Sequence, residues 1–203
     1  MITYIIIGLN VIASFYAWNN QEVYHRWMLN PYQVQKKQQY FRFITSGFIH
    51  FDYMHLFFNM LTLYFFGAIV ESIFESIYGN IGLFLYVVMY LAGIVVSDIP
   101  SYLKHRNDYN YNSLGASGAV SAVMFSFILF YPLNELYLFF AIPIKAVLFA
   151  VLYLIYSYYR GKQMGDNINH DAHLVGALFG IVFTIGIYPN VVIIFLRELG
   201  IFL

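Results

Sequence analysis

The chain has no cysteine and very little charge. The first absence removes disulfides, thiolate metal ligands and cysteine nucleophiles together. Asp, Glu, Lys and Arg make up 10% of the 203 residues, where a soluble domain carries roughly a quarter. Basic and acidic residues balance at 10 each, so no excess charge is available to hold a nucleic acid, and none is expected as a partner. The N-terminus has no basic region, the first Lys or Arg being Arg26. The opening apolar run is therefore expected to be a retained membrane helix rather than a cleaved signal peptide. No stretch is polar enough to form a second, water-soluble domain, so residues 1–203 are expected to form a single integral membrane domain.

What is present is apolar surface. Hydrophobic residues are 61% of the chain, mean hydropathy is +0.67, and Tyr (20) and Phe (21) dominate the aromatics. Tyr suits headgroup depth, where its hydroxyl meets water and its ring meets lipid. A hydrocarbon core of about 30 Å takes roughly 20 apolar residues in a helix. Six segments approach that length: Ile2 to Trp18, Tyr53 to Phe74, Ile81 to Ile99, Ser113 to Tyr131, Leu138 to Tyr158 and Ala172 to Tyr188. A seventh run, Val191 to Leu203, is broken by Arg197 and Glu198 and reads as a frayed or interfacial tail. The expected fold class is all-α, a polytopic bundle of six transmembrane helices with the lipid bilayer as its surroundings. Neither an internal repeat nor a low-complexity tract is visible.

Six spans put the second, fourth and sixth helices into the membrane from one face. The second opens with His55-Leu56-Phe57-Phe58-Asn59, where the i, i+4 spacing puts His55 and Asn59 on one helix side. The fourth opens with Gly115-Ala116-Ser117-Gly118, and the sixth with Ala172-His173-Leu174-Val175-Gly176. All these polar groups lie within a few residues of the span starts, roughly 5–10 Å below the interface at 1.5 Å per residue. Polar groups at that depth are costly unless they face one another or water. Three helices carrying them at one level predict a shared, water-reachable cavity.

The residue types suit acyl transfer. A serine hydroxyl needs a base, and neutral histidine is the commonest near neutral pH. The tetrahedral oxyanion needs donors, which His55, the Asn59 amide and the Ser117 N–H can supply. Gly176-Ala177-Leu178-Phe179-Gly180 is a GxxxG element suited to tight packing against the fourth helix, a contact that would carry His173 toward Ser117.

The ordered set His55-x-x-x-Asn59, Gly115-Ala116-Ser117-Gly118 and Ala172-His173-x-x-Gly176 resembles the signature of the rhomboid family of intramembrane serine proteases. The resemblance covers essentially the whole chain and extends to His50 and to Phe41-Arg42, where many members have Trp-Arg. It implies a Ser117–His173 catalytic dyad without a third carboxylate. It also implies an oxyanion hole of His55, Asn59 and the Ser117 N–H, no cofactor or metal, and membrane-anchored proteins as substrates. From bacterial, minimal six-helix members it implies a cell inner membrane as the location, with the termini inside. The distribution of basic residues by itself points the other way: eight of the ten lie in the odd-numbered loops, which the positive-inside rule would put in the cytoplasm. Some members carry a tyrosine four residues after the serine, stacked on the catalytic histidine; Ser121 stands there in this chain.

Blander readings stand beside these. Gly-x-Ser-Gly alone is more often a helix contact than a nucleophile, and His55 with Asn59 alone could be a structural pair. The co-occurrence of all three elements on alternate spans is what favours catalysis. His50 reads as structural, Arg42 as a tie for the first loop, His170 and Asp171 as caps or interface anchors, and Glu71 and Glu75 as groups reaching the interface. Of the rival functions, an intramembrane metalloprotease wants His-Glu-x-x-His, which is missing. A small transporter would favour repeated halves and broken helices. A catalytically inactive rhomboid-like protein that binds membrane helices and a small membrane transporter are the alternatives.

Overall fold

The computed structural model describes residues 1–138, 141–162 and 169–201. Its helices are α1 (Ile2–Trp18), α2 (Gln21–Trp27), α3 (Pro31–Lys37), α4 (Arg42–Thr45), α5 (Tyr53–Thr62), α6 (Ala68–Tyr78), α7 (Asn80–His105), α8 (Ser117–Phe130), α9 (Ala146–Gly161), α10 (His170–Ile187) and α11 (Val191–Glu198). A π turn, Leu63–Gly67, joins α5 to α6 without interrupting the rod. Among the described residues, three helices are long and apolar enough to cross a membrane: Tyr53–Tyr78, Asn80–His105 and His170–Ile187. Three shorter apolar helices, Ile2–Trp18, Ser117–Phe130 and Ala146–Gly161, occupy the remaining expected positions. The fold is a mostly helical membrane bundle, as expected.

Polarity runs inside out, as lipid demands. On α1, Thr3, Asn10 and Ser14 are buried while Ile5, Leu9 and Ile12 are exposed. The Asn10 amide donates to the Ile6 carbonyl (2.8 Å) and to the Tyr90 hydroxyl of α7 (3.0 Å). In a hydrocarbon solvent apolar surface gains nothing by hiding, whereas each polar group must find a partner inside. The polar stripe therefore marks the packed face and the apolar one the lipid face.

At the centre stands α8. Apart from Ser117, every residue of this 14-residue helix is buried, with α7 and α10 as its main neighbours. At 1.5 Å per residue it is only about 21 Å long, and being sheathed in protein it has no need to match the bilayer. The expected fourth span started at Ser113, but the helix begins at Ser117. Residues 113–116 are instead non-helical backbone, tolerated at depth because protein groups satisfy it. Ser113 and Leu29 exchange two backbone hydrogen bonds (2.9 and 3.0 Å), and the Gly115 N–H donates to the Ser46 carbonyl (2.9 Å).

Those partners come from the long first loop, which is a folded cap. Asn20 and Asn30 accept from the N–H groups of Val23 and Gln33 and so start α2 and α3, with Pro31 at the first position of α3. Arg42 is buried, and its guanidinium donates to the carbonyls of His25 (3.0 Å) and Met28 (2.7 Å) and to Gln39 Oε1 (2.7 Å). It ties the loop together, as read from the sequence.

Two expectations need correction. The fifth span was set at Leu138 to Tyr158, but β1 (Glu135–Leu138) pairs antiparallel with β2 (Ile142–Lys145), and α9 starts only at Ala146. A continuous apolar run hides the change of period, and Pro143, which removes a donor and clashes in a helix interior, was the available sign. Glu71 does not reach an interface. It is buried, and its carboxyl oxygens accept from the N–H groups of Ile2 (2.7 Å) and Thr3 (2.8 Å) and from the Thr3 hydroxyl (2.7 Å). Of the polar fifth connection, residues 163–168 lie outside the described residues, as do residues 202–203 of the seventh run.

Candidate active site

Ser117 begins α8, and His173 lies in the first turn of α10. Asn169 starts α10 by accepting from the Ala172 N–H (3.1 Å) while its amide donates to Ser101 Oγ of α7 (2.8 Å). The cap is therefore Asn169 rather than His170 or Asp171; His170 is buried, and Asp171 sits 3.7 Å from the Lys104 ammonium.

Glycine brings the two helices together. A Cβ on Gly176 would lie 2.2 Å from the Gly118 carbonyl oxygen, and one on Gly180 would lie 2.2 Å from that of Ala122. The GxxxG face of α10 thus lies directly on the backbone of α8, as its spacing predicts. On the other side of α8, a Cβ on Gly118 would lie 2.0 Å from Ser97 Oγ of α7. Ser117 and His173 flank this contact and are half-buried, so neither is sealed inside the protein.

His55 sits on the Gly115-Ala116 turn. A Cβ on Gly115 would come within 2.6 Å of His55 Cε1 and 2.8 Å of Nε2, and Gly115 has φ +121°, a region that favours glycine. Asp52 caps α5 by accepting from the His55 N–H (2.7 Å). The Phe51 N–H reaches His55 Nδ1 at 3.4 Å, which leaves the ring proton on Nε2, the atom nearer the turn. Asn59 is buried one turn on, and its amide donates to the His55 carbonyl (2.8 Å), which engages one of its two protons.

His50 holds the same turn from behind. The Ala116 N–H donates to His50 Nε2 (3.4 Å), so the proton is on Nδ1, 3.0 Å from Ser14 Oγ; Ser14 in turn donates to the Phe48 carbonyl (3.3 Å). Burial, with His55 adding to it, lowers the His50 pKa from 6.5 to about 3 and keeps the ring neutral. The structural role read for His50 has its partners here. The turn before Ser117 is thereby fixed by Ser46, His50 and His55, all upstream of α5 or in its first turn. The first N–H groups of α8 have no intrahelical acceptors, and its positive end faces the same space. The starts of α5, α8 and α10 thus carry a hydroxyl, an imidazole and several N–H donors, with Ser117 and His173 half-buried.

Sequence reasoning missed Ser14 and Tyr153. Ser14 follows Asn10 by four and Thr3 by eleven residues, a helical polar stripe on an apolar segment that could have revealed it. The Tyr153 ring on α9 stacks on the His173 ring (centroids 6.2 Å apart, planes at 20°), and no local pattern announces it. Among the described residues, no group of three or more His, Asp or Glu converges in a way that could hold a metal.

A family model described as the Rhomboid domain matches residues 37–190. RHOMBOID-like protein 12, mitochondrial, of Arabidopsis thaliana is 32% identical over 85% of this chain and 55% of its own length. Rhomboid-like protein 11, chloroplastic, from the same plant is 33% identical over 70% of this chain and 51% of its own. The presenilin-associated rhomboid-like protein, mitochondrial, of Mus musculus is 32% identical over 68% of this chain and 36% of its own. The chain thus spans about half or less of the length of these relatives.

These relatives overturn one expectation. They are mitochondrial or chloroplastic proteins, so the cell inner membrane expected from bacterial members does not stand. The physical reason is that apolar spans report a need common to every bilayer, the internal pairing of backbone groups, and do not distinguish one membrane from another. The match carries the family and its membrane-spanning character, not a bacterial, minimal form. With a family model over most of its length and relatives above 30% identity, the chain belongs to the rhomboid family of membrane proteins.

Proposed function

We propose that the chain is an intramembrane serine endopeptidase that hydrolyses a peptide bond in or near the transmembrane segment of membrane-anchored proteins, with residues 1–203 working as one unit. Ser117 Oγ attacks the scissile carbonyl while His173 takes its proton and passes it to the leaving amine. The resulting ester is hydrolysed by a water that His173 activates in turn. The oxyanion of each tetrahedral intermediate is met by His55 Nε2–H, the free Asn59 amide proton and the Ser117 N–H. The observation that carries this reading is the backbone contact of Gly176 with Gly118, one residue from Ser117 and three from His173. Family membership supports the same class of activity.

The test is cleavage of a membrane-anchored substrate in liposomes by wild type, Ser117→Ala and His173→Ala. Both variants should lose turnover, a chelator should leave the wild type unaffected, and a serine-directed mechanism-based inhibitor should label wild type and not Ser117→Ala. Turnover by Ser117→Ala would refute the nucleophile. The relatives carry rhomboid-like names that state no activity, which favours a second reading, a rhomboid-like protein that binds membrane helices without cutting them. Saturable binding with no hydrolysis by the wild type would select it.

A further inference from the structure

The His173 ring needs a fixed orientation to serve Ser117, yet the residue four positions after the serine, where a ring could reach it from α8, is Ser121. Tyr153, from a different helix, occupies that space. Its ring lies against the His173 ring at 6.2 Å between centroids and 20° between planes, within the range of offset stacking. Its hydroxyl is 2.6 Å from Ser121 Oγ. Ser121 is one turn beyond Ser117 on the same side of α8, so this hydrogen bond ties the ring to the helix that carries the nucleophile. Phe125 (5.4 Å, 53°) and Phe149 (5.7 Å, 36°) pack against the remaining faces of the tyrosine. Tyr153 is thus held by α8 and α9 while its ring rests on α10.

We infer that Tyr153 is the positioning residue for the His173 imidazole, with Ser121 as its anchor. The inference rests on the Ser117–His173 assignment. Two complementary sizes make it work. Ser121 is buried and small, which leaves room for a phenol from α9, and its hydroxyl gives that phenol a partner it would otherwise lack in an apolar wall. The stacked ring limits rotation of the imidazole about its side-chain bonds, and the anchored hydroxyl fixes the height of the ring along α8. A bulkier residue at 121 would evict the tyrosine, and a non-aromatic one at 153 would leave the imidazole free to turn away. Tyr153 touches no reacting atom; it acts through His173.

The experiment compares wild type with Tyr153→Phe, Tyr153→Leu and Ser121→Ala in two measurements. In steady-state cleavage, Tyr153→Leu should lose about ten- to a hundredfold in kcat with KM within about twofold, the size expected for a misplaced catalytic group. Tyr153→Phe and Ser121→Ala, which keep the ring and lose only the hydrogen bond between the two side chains, should both stay within about threefold of wild type. In NMR of protein labelled at histidine, with His173 assigned by its own substitution, the upfield ring-current shift of His173 should persist in the Phe variant and vanish in the Leu variant. A folded Leu variant with wild-type kcat overturns the proposal, as does a Phe variant as slow as Leu. If Ser117→Ala still cleaves, the protease assignment fails instead, and the NMR comparison tests the stacking by itself. An unchanged His173 shift in Tyr153→Leu then overturns the inference.

Discussion

At the scale of single residues, the site is held by groups that do no chemistry. His50 shows this best, because its two ring nitrogens connect the turn before Ser117 to α1. Its buried ring resists protonation down to about pH 3, whereas an unfolded chain takes up that proton near 6.5. The unfolded state therefore binds more protons below 6.5, and stability must rise with pH across that window. The contribution is complete above about pH 6.5 and erodes by up to about 1.4 kcal/mol per pH unit as pH falls toward 3. Thermal unfolding in detergent should show wild type losing about 2 kcal/mol between about pH 7.5 and about pH 5 from this group. His50→Gln, which cannot titrate, should start less stable and lose less over the same interval. Equal acid losses in both proteins would remove His50 from the explanation. At this scale the sequence was informative where a residue type is rare in lipid: His50, His55, Asn59 and His173 stand out in apolar surroundings. Tyr153 did not stand out, because it is one of 20 tyrosines and its partner on α10 lies twenty residues away.

At the scale of elements, the decisive contact is that of α10 on α8, and it was legible because glycine leaves a periodic trace. Gly176 and Gly180 sit four apart, and both meet main-chain oxygen of α8 rather than side chains that could yield. Gly176→Ala must therefore push the helices apart, with an overpacking cost of about 1–3 kcal/mol. It should also cost on the order of a hundredfold in turnover, since Ser117 and His173 ride on the two helices. Gly186 on the same helix has open space where a Cβ would go, so Gly186→Ala should leave activity unchanged and stability equal or slightly higher, helix interiors preferring alanine. Similar behaviour of the two variants would show that the close approach is not what aligns the pair. The hairpin of β1 and β2 was illegible for the opposite reason. Inside its terminal Glu135–Lys145 pair the residues are apolar on both sides, so neither a period of two nor one of 3.6 emerges from the run. The first loop was legible only as long and polar. Its fold depends on distant partners such as Ser113 and on the burial of Arg42, which no local pattern encodes. That burial also bears on orientation: Arg42 is enclosed by protein and Lys104 lies beside Asp171, so the basic residues of these loops are not all free charges for a membrane potential to sort.

At the scale of the whole molecule, the two ends of the bundle do different work. The groups proposed to react lie where α5, α8 and α10 begin, and sixteen residues beyond His55 on the same rod, about 24 Å at 1.5 Å per residue, Glu71 closes the other end. There α1 begins with no acidic residue of its own in its first turn, and its leading N–H groups would be orphaned in an apolar setting. Glu71 supplies the missing acceptors, and the Thr3 hydroxyl it engages lies 2.9 Å from the Tyr86 hydroxyl of α7, so one carboxyl group couples α1, α6 and α7. Hydrogen bonds to such a group are worth about 1.5–3 kcal/mol each when donors are left unpaired. Glu71→Ala should accordingly lower the unfolding free energy in detergent by about 2–4 kcal/mol, and Glu71→Gln, which keeps one acceptor, by less. Because the lesion lies at the far end, kcat per folded molecule should stay within about twofold of wild type, since distant sites contribute nearly independently. Loss of stability with kcat preserved would mean that the bundle is stapled at one end so that the other can remain open and wet. A Glu71→Ala protein as stable as wild type, or one that is folded but slow, would mean that the two ends are not separable.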